Sequence, residues 1–156
     1  MKEIILCRYG SGCFGCCGTE FANSKEQVIK EIKINTRELK DYKDLDQFRM
    51  RHGALFKEEG NPFKMCRNIT KLSDGYVGCP LHPILNEGED FRKNYCFADY
   101  WCPTMKKFRK WNDKEKKKFL DFLDFKKLDT YEYSIKMDSG ELLKEFENQI
   151  FPLKIE

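Results

Sequence analysis

Eight cysteines in 156 residues constrain this chain more than any other feature. Cys7, Cys13, Cys16 and Cys17 all fall in the stretch CRYGSGCFGCCG at positions 7–18, interleaved with Gly10, Gly12, Gly15 and Gly18. Thiols this dense are explained by a disulfide knot, a reactive thiol site or a metal site. The opening MKEIILCRYG sets charge on both sides of its short apolar run, unlike the ~7–15 apolar residues of a secretory signal. No run approaches the ~20 apolar residues of a membrane span. The expected compartment is therefore the cytoplasm. There, cysteines serve metal or redox chemistry more often than structural disulfides.

The other four cysteines, Cys66, Cys79, Cys96 and Cys102, lie in a turn-rich stretch, 61–104, marked by Asn61-Pro62, Asp74-Gly75 and Pro80 to Pro83. So long an irregular stretch needs something other than a hydrogen-bond ladder to hold it, and a bound metal would do so. The Cys13-x2-Cys16 spacing turns two sulfurs toward one ion. Glycines let the backbone wrap tightly around ligands, and their amides can donate to thiolate sulfur. All eight cysteines are candidate ligands, enough for two tetrahedral sites, and His82 is a possible further one. A single cysteine can also be a small core hydrophobe, and Cys7 at the end of an apolar run is the plainest case. The adjacent pair Cys16-Cys17 would point apart in extended chain, serving different ions or leaving one thiol out of the site. Zinc would take four cysteines, or three and a histidine. Iron–sulfur clusters favour four cysteines, and Cys79-Pro80 and Cys102-Pro103 echo the Cys-Pro step that closes a bacterial ferredoxin motif. These pairs and the adjacent cysteines tilt the choice toward iron–sulfur.

The rest of the chain reads as the body that carries these loops. The expected fold is a single α+β domain over 1–156, a small helical and strand body (23–60 and 105–156) with cysteine loops 7–18 and 61–104 joined by a metal site. Ser24 with Gln27 and Asn112 with Glu115 form capping-box patterns. Val28, Ile29 and Ile32 recur at helical spacing after the first, and Phe119, Leu120, Phe122, Leu123 and Phe125 follow the second. Thr36 is expected to cap another helix bearing Leu39, Tyr42, Leu45 and Phe48, stopped at Gly53 after His52. Ile4 to Cys7 and Thr130 to Ile135 read as strands. Asp138 with Glu141 is expected to cap a last helix carrying Leu142, Leu143, Phe146 and Ile150, ended by Pro152.

A formal charge of +3 is too small to argue for nucleic acid. Locally, residues 106–118 hold eight basic residues against two acidic. Lys106, Lys107, Arg109, Lys110 and Trp111 are the candidates for phosphate contact and base stacking, though such a run is more simply a solvated helix face. Gly10, Gly12 and Gly15 fit a bare G-x-G-x-x-G without the strand, helix and acidic residue that give it meaning. His52 reads as a helix-end residue and Asp74 as a turn residue, so no acid–base pair marks an enzyme.

Taken together, CFGCCG at 13–18, CRNITKL at 66–72, GCPLHP at 78–83 and FRKNYC at 91–96 resemble the YkgJ-type cysteine-cluster family, described as zinc- or iron-chelating domains. The resemblance spans roughly the first two-thirds of the chain. It departs at the long Cys7-x5-Cys13 gap, at Pro80-Leu81-His82 where an aromatic step is usual, and at Cys96-Phe97 where the family has Cys-Arg. It implies a metal-bound cysteine cluster and no particular reaction. The expected function is a non-enzymatic metal-binding protein that stores, senses or passes on metal or electrons, or scaffolds a protein partner. The alternatives are an iron–sulfur redox or modifying enzyme and a zinc-stabilised nucleic-acid-binding protein; no membrane partner is expected.

Overall fold

The computed structural model describes residues 5–18, 24–51, 53–55, 59 and 65–150. Their elements, in chain order, are α1 (Lys25–Leu39), α2 (Leu45–Arg49), β1 (Thr70–Lys71), β2 (Val77–Gly78), α3 (Pro103–Lys110), α4 (Asp113–Lys126), α5 (Thr130–Asp138) and α6 (Glu141–Ile150), with 3-10 turns at Leu6–Arg8, Gly15–Cys17 and Pro83–Leu85. The class is α+β, mostly helical with one small antiparallel sheet among the described residues. The chain forms two compact units, Cys16–Tyr100 and Met1–Gly15 with Trp101–Glu156, here called the hairpin unit and the helical unit.

In the hairpin unit, the Ser24–Gln27 capping box starts α1 as expected. The expected break at Thr36 does not occur. Thr36 Oγ1 donates to the Ile32 carbonyl four residues back at 2.6 Å, and it accepts the Lys71 amide at 2.9 Å. A threonine able to satisfy its hydroxyl on the preceding turn can sit inside a helix. The next helix starts later, where the Asp44 carboxylate accepts the Gln47 amide at 2.7 Å. His52 lies outside the described residues; Gly53 takes φ +67°. Asn61, Pro62 and Pro152 also lie outside them. Asp74-Gly75 does form a turn. Gly75 adopts φ +88°, Asp74 Oδ1 accepts the Tyr76 amide at 3.1 Å, and β1 pairs with β2 across it, Thr70 opposite Gly78.

An aromatic interior holds the helical unit together. Phe119 sits 4.9 Å from Phe146, 5.4 Å from Trp111 and 6.0 Å from Phe108, centroid to centroid. The Asn112–Glu115 box starts α4. Residues 130–135, expected as a strand, form the first two turns of α5. Asp129 accepts the Glu132 amide at 2.9 Å, and Tyr133 and Met137, one turn apart, are both buried. The aromatic and β-branched composition that suggested a strand here reflects a packed helix face; tertiary burial overrides propensity. The described part of the expected 4–7 strand is likewise a 3-10 turn, Leu6–Arg8, anchored by fully buried Leu6. The start of α6 also differs from expectation. Ser139 Oγ accepts the Glu141 amide at 3.3 Å, while Asp138 is the last residue of α5.

Candidate metal centre

The hairpin sets the geometry. Its register places the chain before β1 and the chain after β2 at the same end of the sheet, so Cys66, four residues ahead of β1, and Cys79, directly after β2, leave from that end together. Cys17 joins them through the backbone. The Cys66 amide donates to the Cys17 carbonyl at 2.7 Å, and Gly18 bridges antiparallel to Met65. Cys96 arrives on the turn that follows Arg92, whose carbonyl accepts the Cys96 amide at 3.4 Å. Cys66 is buried, Cys17 and Cys79 are half-buried, and Cys96 and Cys16 are exposed. The Cys16 and Cys17 sulfurs are 4.0 Å apart.

These thiols act on one another. The Cys17 thiol is pushed up by its hydrogen bond to Cys16, by burial and by the neighbouring sulfurs of Cys16, Cys66 and Cys79. Burial pushes the Cys66 thiol up to about 11, with Cys96 adding to it. Burial also raises Cys79 strongly, reinforced by Cys66 and Cys96. Opposing groups are built in. Backbone amides of Asn68 and Leu81 point at the sulfurs of Cys66 and Cys79, and Arg51 and Arg92 favour the charged form of the same two thiols. An amide aimed at sulfur two residues back stabilises thiolate rather than thiol.

The two arginines are firmly held. Arg51 donates to the Glu38 carboxylate at 2.9 Å, the Phe48 carbonyl at 2.9 Å, the Asn68 side chain at 2.9 Å and the Arg67 carbonyl at 2.5 Å. Arg92 makes a two-point pair with Asp90, at 2.9 and 2.8 Å. Burial works against the Arg92 charge, but the Asp90 hydrogen bond and the sulfurs of Cys79 and Cys96 outweigh it and raise its pKa.

The helical unit gathers the other three. Cys7, Cys13 and Cys102 all stand near the Tyr133 phenol, which is raised by burial and further by these sulfurs. His82, the possible further ligand, caps the turn Pro83–Leu85; its Nδ1 accepts the Ile84 amide at 3.2 Å, leaving Nε2 as the nitrogen a metal would have to use. Among the described residues, no three or more His, Cys, Asp or Glu side chains are drawn together closely enough to hold a metal ion, and the cysteines form no disulfide.

The basic candidates divide. Lys106, Lys107, Arg109 and Lys110 lie on the exposed face of α3, with Lys106, Arg109 and Lys110 lining a shallow surface depression. Lys107 is 3.7 Å from Glu147, and the Arg109 guanidinium lies 5.2 Å from the Trp101 ring centroid. Trp111 instead belongs to the aromatic interior, 5.3 Å from Phe146. Sequence reasoning missed Arg51, Arg92 and Tyr133. Arg92 was visible in FRKNYC as a cation four residues before a cysteine; Tyr133 was hidden by the strand reading of its segment. No helix among the described residues is long and apolar enough to cross a membrane. Comparison with family models, with curated proteins and with solved structures gave no match.

Proposed function

We propose that this is a non-enzymatic metal-binding protein whose principal centre is a four-thiolate site, Cys17, Cys66, Cys79 and Cys96, holding zinc or an iron–sulfur cluster. One observation carries it. Backbone pairing of Cys17 with Cys66 and the hairpin register bring thiols from separate segments near enough that their charged forms would repel one another, with amides and two arginines arranged to favour thiolate. Thiols kept protonated by burial and by the repulsion their charged forms would feel gain when a cation replaces their protons. Binding draws in sulfurs that the metal-free arrangement leaves apart, and Arg51 and Arg92 offset the net negative charge that four thiolates leave on such a centre. The centre would fasten the chain between Met65 and Tyr100, where two short strands supply little else. The resemblance of its cysteine motifs to the YkgJ-type family fits this reading, as would a reducing, cytoplasmic location.

The test is metal content and visible absorption of protein purified without oxygen. Iron with acid-labile sulfide makes the centre a cluster, and zinc without colour makes it a closed tetrahedral site. Protein that neither retains metal nor takes it up on reconstitution would sink the proposal.

A further inference from the structure

The burst of cysteines at 7–18 is contiguous in sequence but split in space. Cys16 and Cys17 belong to the hairpin unit, Cys7 and Cys13 to the helical unit, where Cys102 also lies. Helix α5 anchors the backbone beside each of the latter three, whose sulfurs all lie near its Tyr133 phenol without being drawn together closely enough to hold an ion as they stand. The Tyr133 hydroxyl donates to the Leu6 carbonyl at 2.8 Å, next to Cys7. Thr130 Oγ1 donates to the Gly12 carbonyl at 2.7 Å and Ser134 Oγ accepts the Phe14 amide at 3.0 Å, on either side of Cys13. Thr104 Oγ1, two residues after Cys102, donates to the Met137 carbonyl at 2.8 Å. Successive turns of one helix thus fix the backbone within two residues of each thiol. The Cys13 amide also donates to the Cys7 carbonyl at 2.9 Å. The sulfurs are furnished as ligands are, since the Gly15 amide reaches Cys13 Sγ at 3.5 Å and the Met105 amide reaches Cys102 Sγ at 3.4 Å, at the N-terminus of α3. Both interactions favour thiolate. All three thiols are half-buried and reachable from solvent.

We propose that Cys7, Cys13 and Cys102 form a second site within the helical unit, their sulfurs closing on one thiophilic d10 ion as it binds and leaving a fourth position open. Three protein ligands with an open position is how an exchangeable or reactive ion is held, whereas four close the site; soft thiolates select zinc or copper(I) over harder cations. The site goes beyond the four-thiol centre and does not depend on it.

The test uses the full, reduced chain without oxygen, titrated with cadmium as the probe, followed by release to a competing chelator. Wild type is expected to take up about two ions, one leaving fast and one slowly. Cys102→Ser keeps a good helix cap, so the fold is retained while the fast ion is lost and the slow one stays; Cys79→Ser does the reverse. Should circular dichroism show Cys102→Ser misfolded, Cys13→Ala is read in its place. The proposal is overturned if these helical-unit variants leave cadmium content unchanged, or if Cys102→Ser and Cys79→Ser each abolish one and the same ion. If only Cys79→Ser has no effect, the four-thiol centre falls and the three-thiol site stands.

Discussion

Where the helical unit fills its interior with rings, Phe108, Phe119, Phe122, Tyr133 and Phe146 among them, the hairpin unit buries a smaller apolar set around Val28, Ile32, Phe48, Ile69 and Leu81 and mixes polar groups into it. Glu31, Asn35, Asn68 and Thr70 are buried there. Among the described residues of the helical unit, the two buried polar ones, Thr104 and Ser134, both donate to backbone carbonyls, at 2.8 and 2.6 Å. All four buried side-chain polar atoms without a hydrogen-bond partner among the described residues, Asn35 Oδ1, Arg49 Nε, Arg67 Nε and Thr70 Oγ1, belong to the hairpin unit. Each such group costs ~1–3 kcal/mol, against a net stability of only ~5–15 kcal/mol for a whole domain. A unit with that interior is the one that gains from a metal staple, while an aromatic core stands without one.

The largest test of this contrast is chelation. Removing metal under reducing conditions is expected to cost the hairpin unit several kcal/mol, since binding free energy at a structural site is folding free energy. Amide exchange should become fast over 65–81 while 105–125 keep their protection. Loss of protection in both units together would break the comparison.

Next in size is a pair of glycine substitutions. A Cβ at Gly15 would stand 2.3 Å from the Ser134 carbonyl oxygen and 2.7 Å from Asp138 Cβ, whereas at Gly78 it would meet only Leu72 Cδ1 at 3.6 Å. Gly15→Ala should destabilise the helical unit by ~1–3 kcal/mol, as overpacking does. Gly78→Ala should stay within ~0.5 kcal/mol. Denaturant melts of both variants measure the difference, and equal effects would remove the close seating of 12–15 on α5 as a feature of the helical unit.

How far these features could be read in advance differs by kind. The capping boxes at Ser24 and Asn112 were legible because they are local, a side chain and an amide three residues apart. The turn at Asp74-Gly75 was legible for the same reason. Residues 130–135 were not, because what makes them helical is burial of Tyr133 against residues far away in the chain. The candidate ligands were legible as a set of thiols. Their partition was not, because CFGCC reads as one motif while the Phe14 amide donates to Ser134 and the Cys17 carbonyl accepts from Cys66, so that its two ends belong to different units.

Alkaline pH sharpens the contrast further. Burial and then the 2.7 Å hydrogen bond to Asp124 hold Tyr9 neutral, its pKa pushed up to about 12. The folded helical unit therefore favours the neutral phenol. That stability is whole below the unfolded value of about 10 and is lost as pH rises from there toward 12. In the metal-free hairpin unit the same sign applies to Cys66, whose folded pKa of about 11 lies above the ordinary thiol value, so its contribution fades over a lower window, from about 9. Metal loading reverses the second case only. Bound sulfurs are already thiolates, and acid rather than alkali then releases the unit. Melting temperature against pH, with and without metal, should show the thiol-linked step vanish on loading. The tyrosine step should persist, and Tyr9→Phe should shrink it to the part that buried Tyr133, whose phenol is raised as well, contributes.

The smallest effects discriminate best between the units, because each carries the same device. Ser24 accepts the Gln27 amide at 3.3 Å and Asn112 accepts the Glu115 amide at 3.0 Å, each with the reciprocal bond in place. Replacing either cap by alanine should cost about 1 kcal/mol. In metal-free protein the units are expected to melt separately, the hairpin unit first. Ser24→Ala should then move only the early transition and Asn112→Ala only the late one, at closely similar cost. A single transition shifted equally by both would mean that the polar interior of one unit and the aromatic interior of the other are stabilised as one cooperative whole. The contrast between them would then be one of composition without an energetic counterpart.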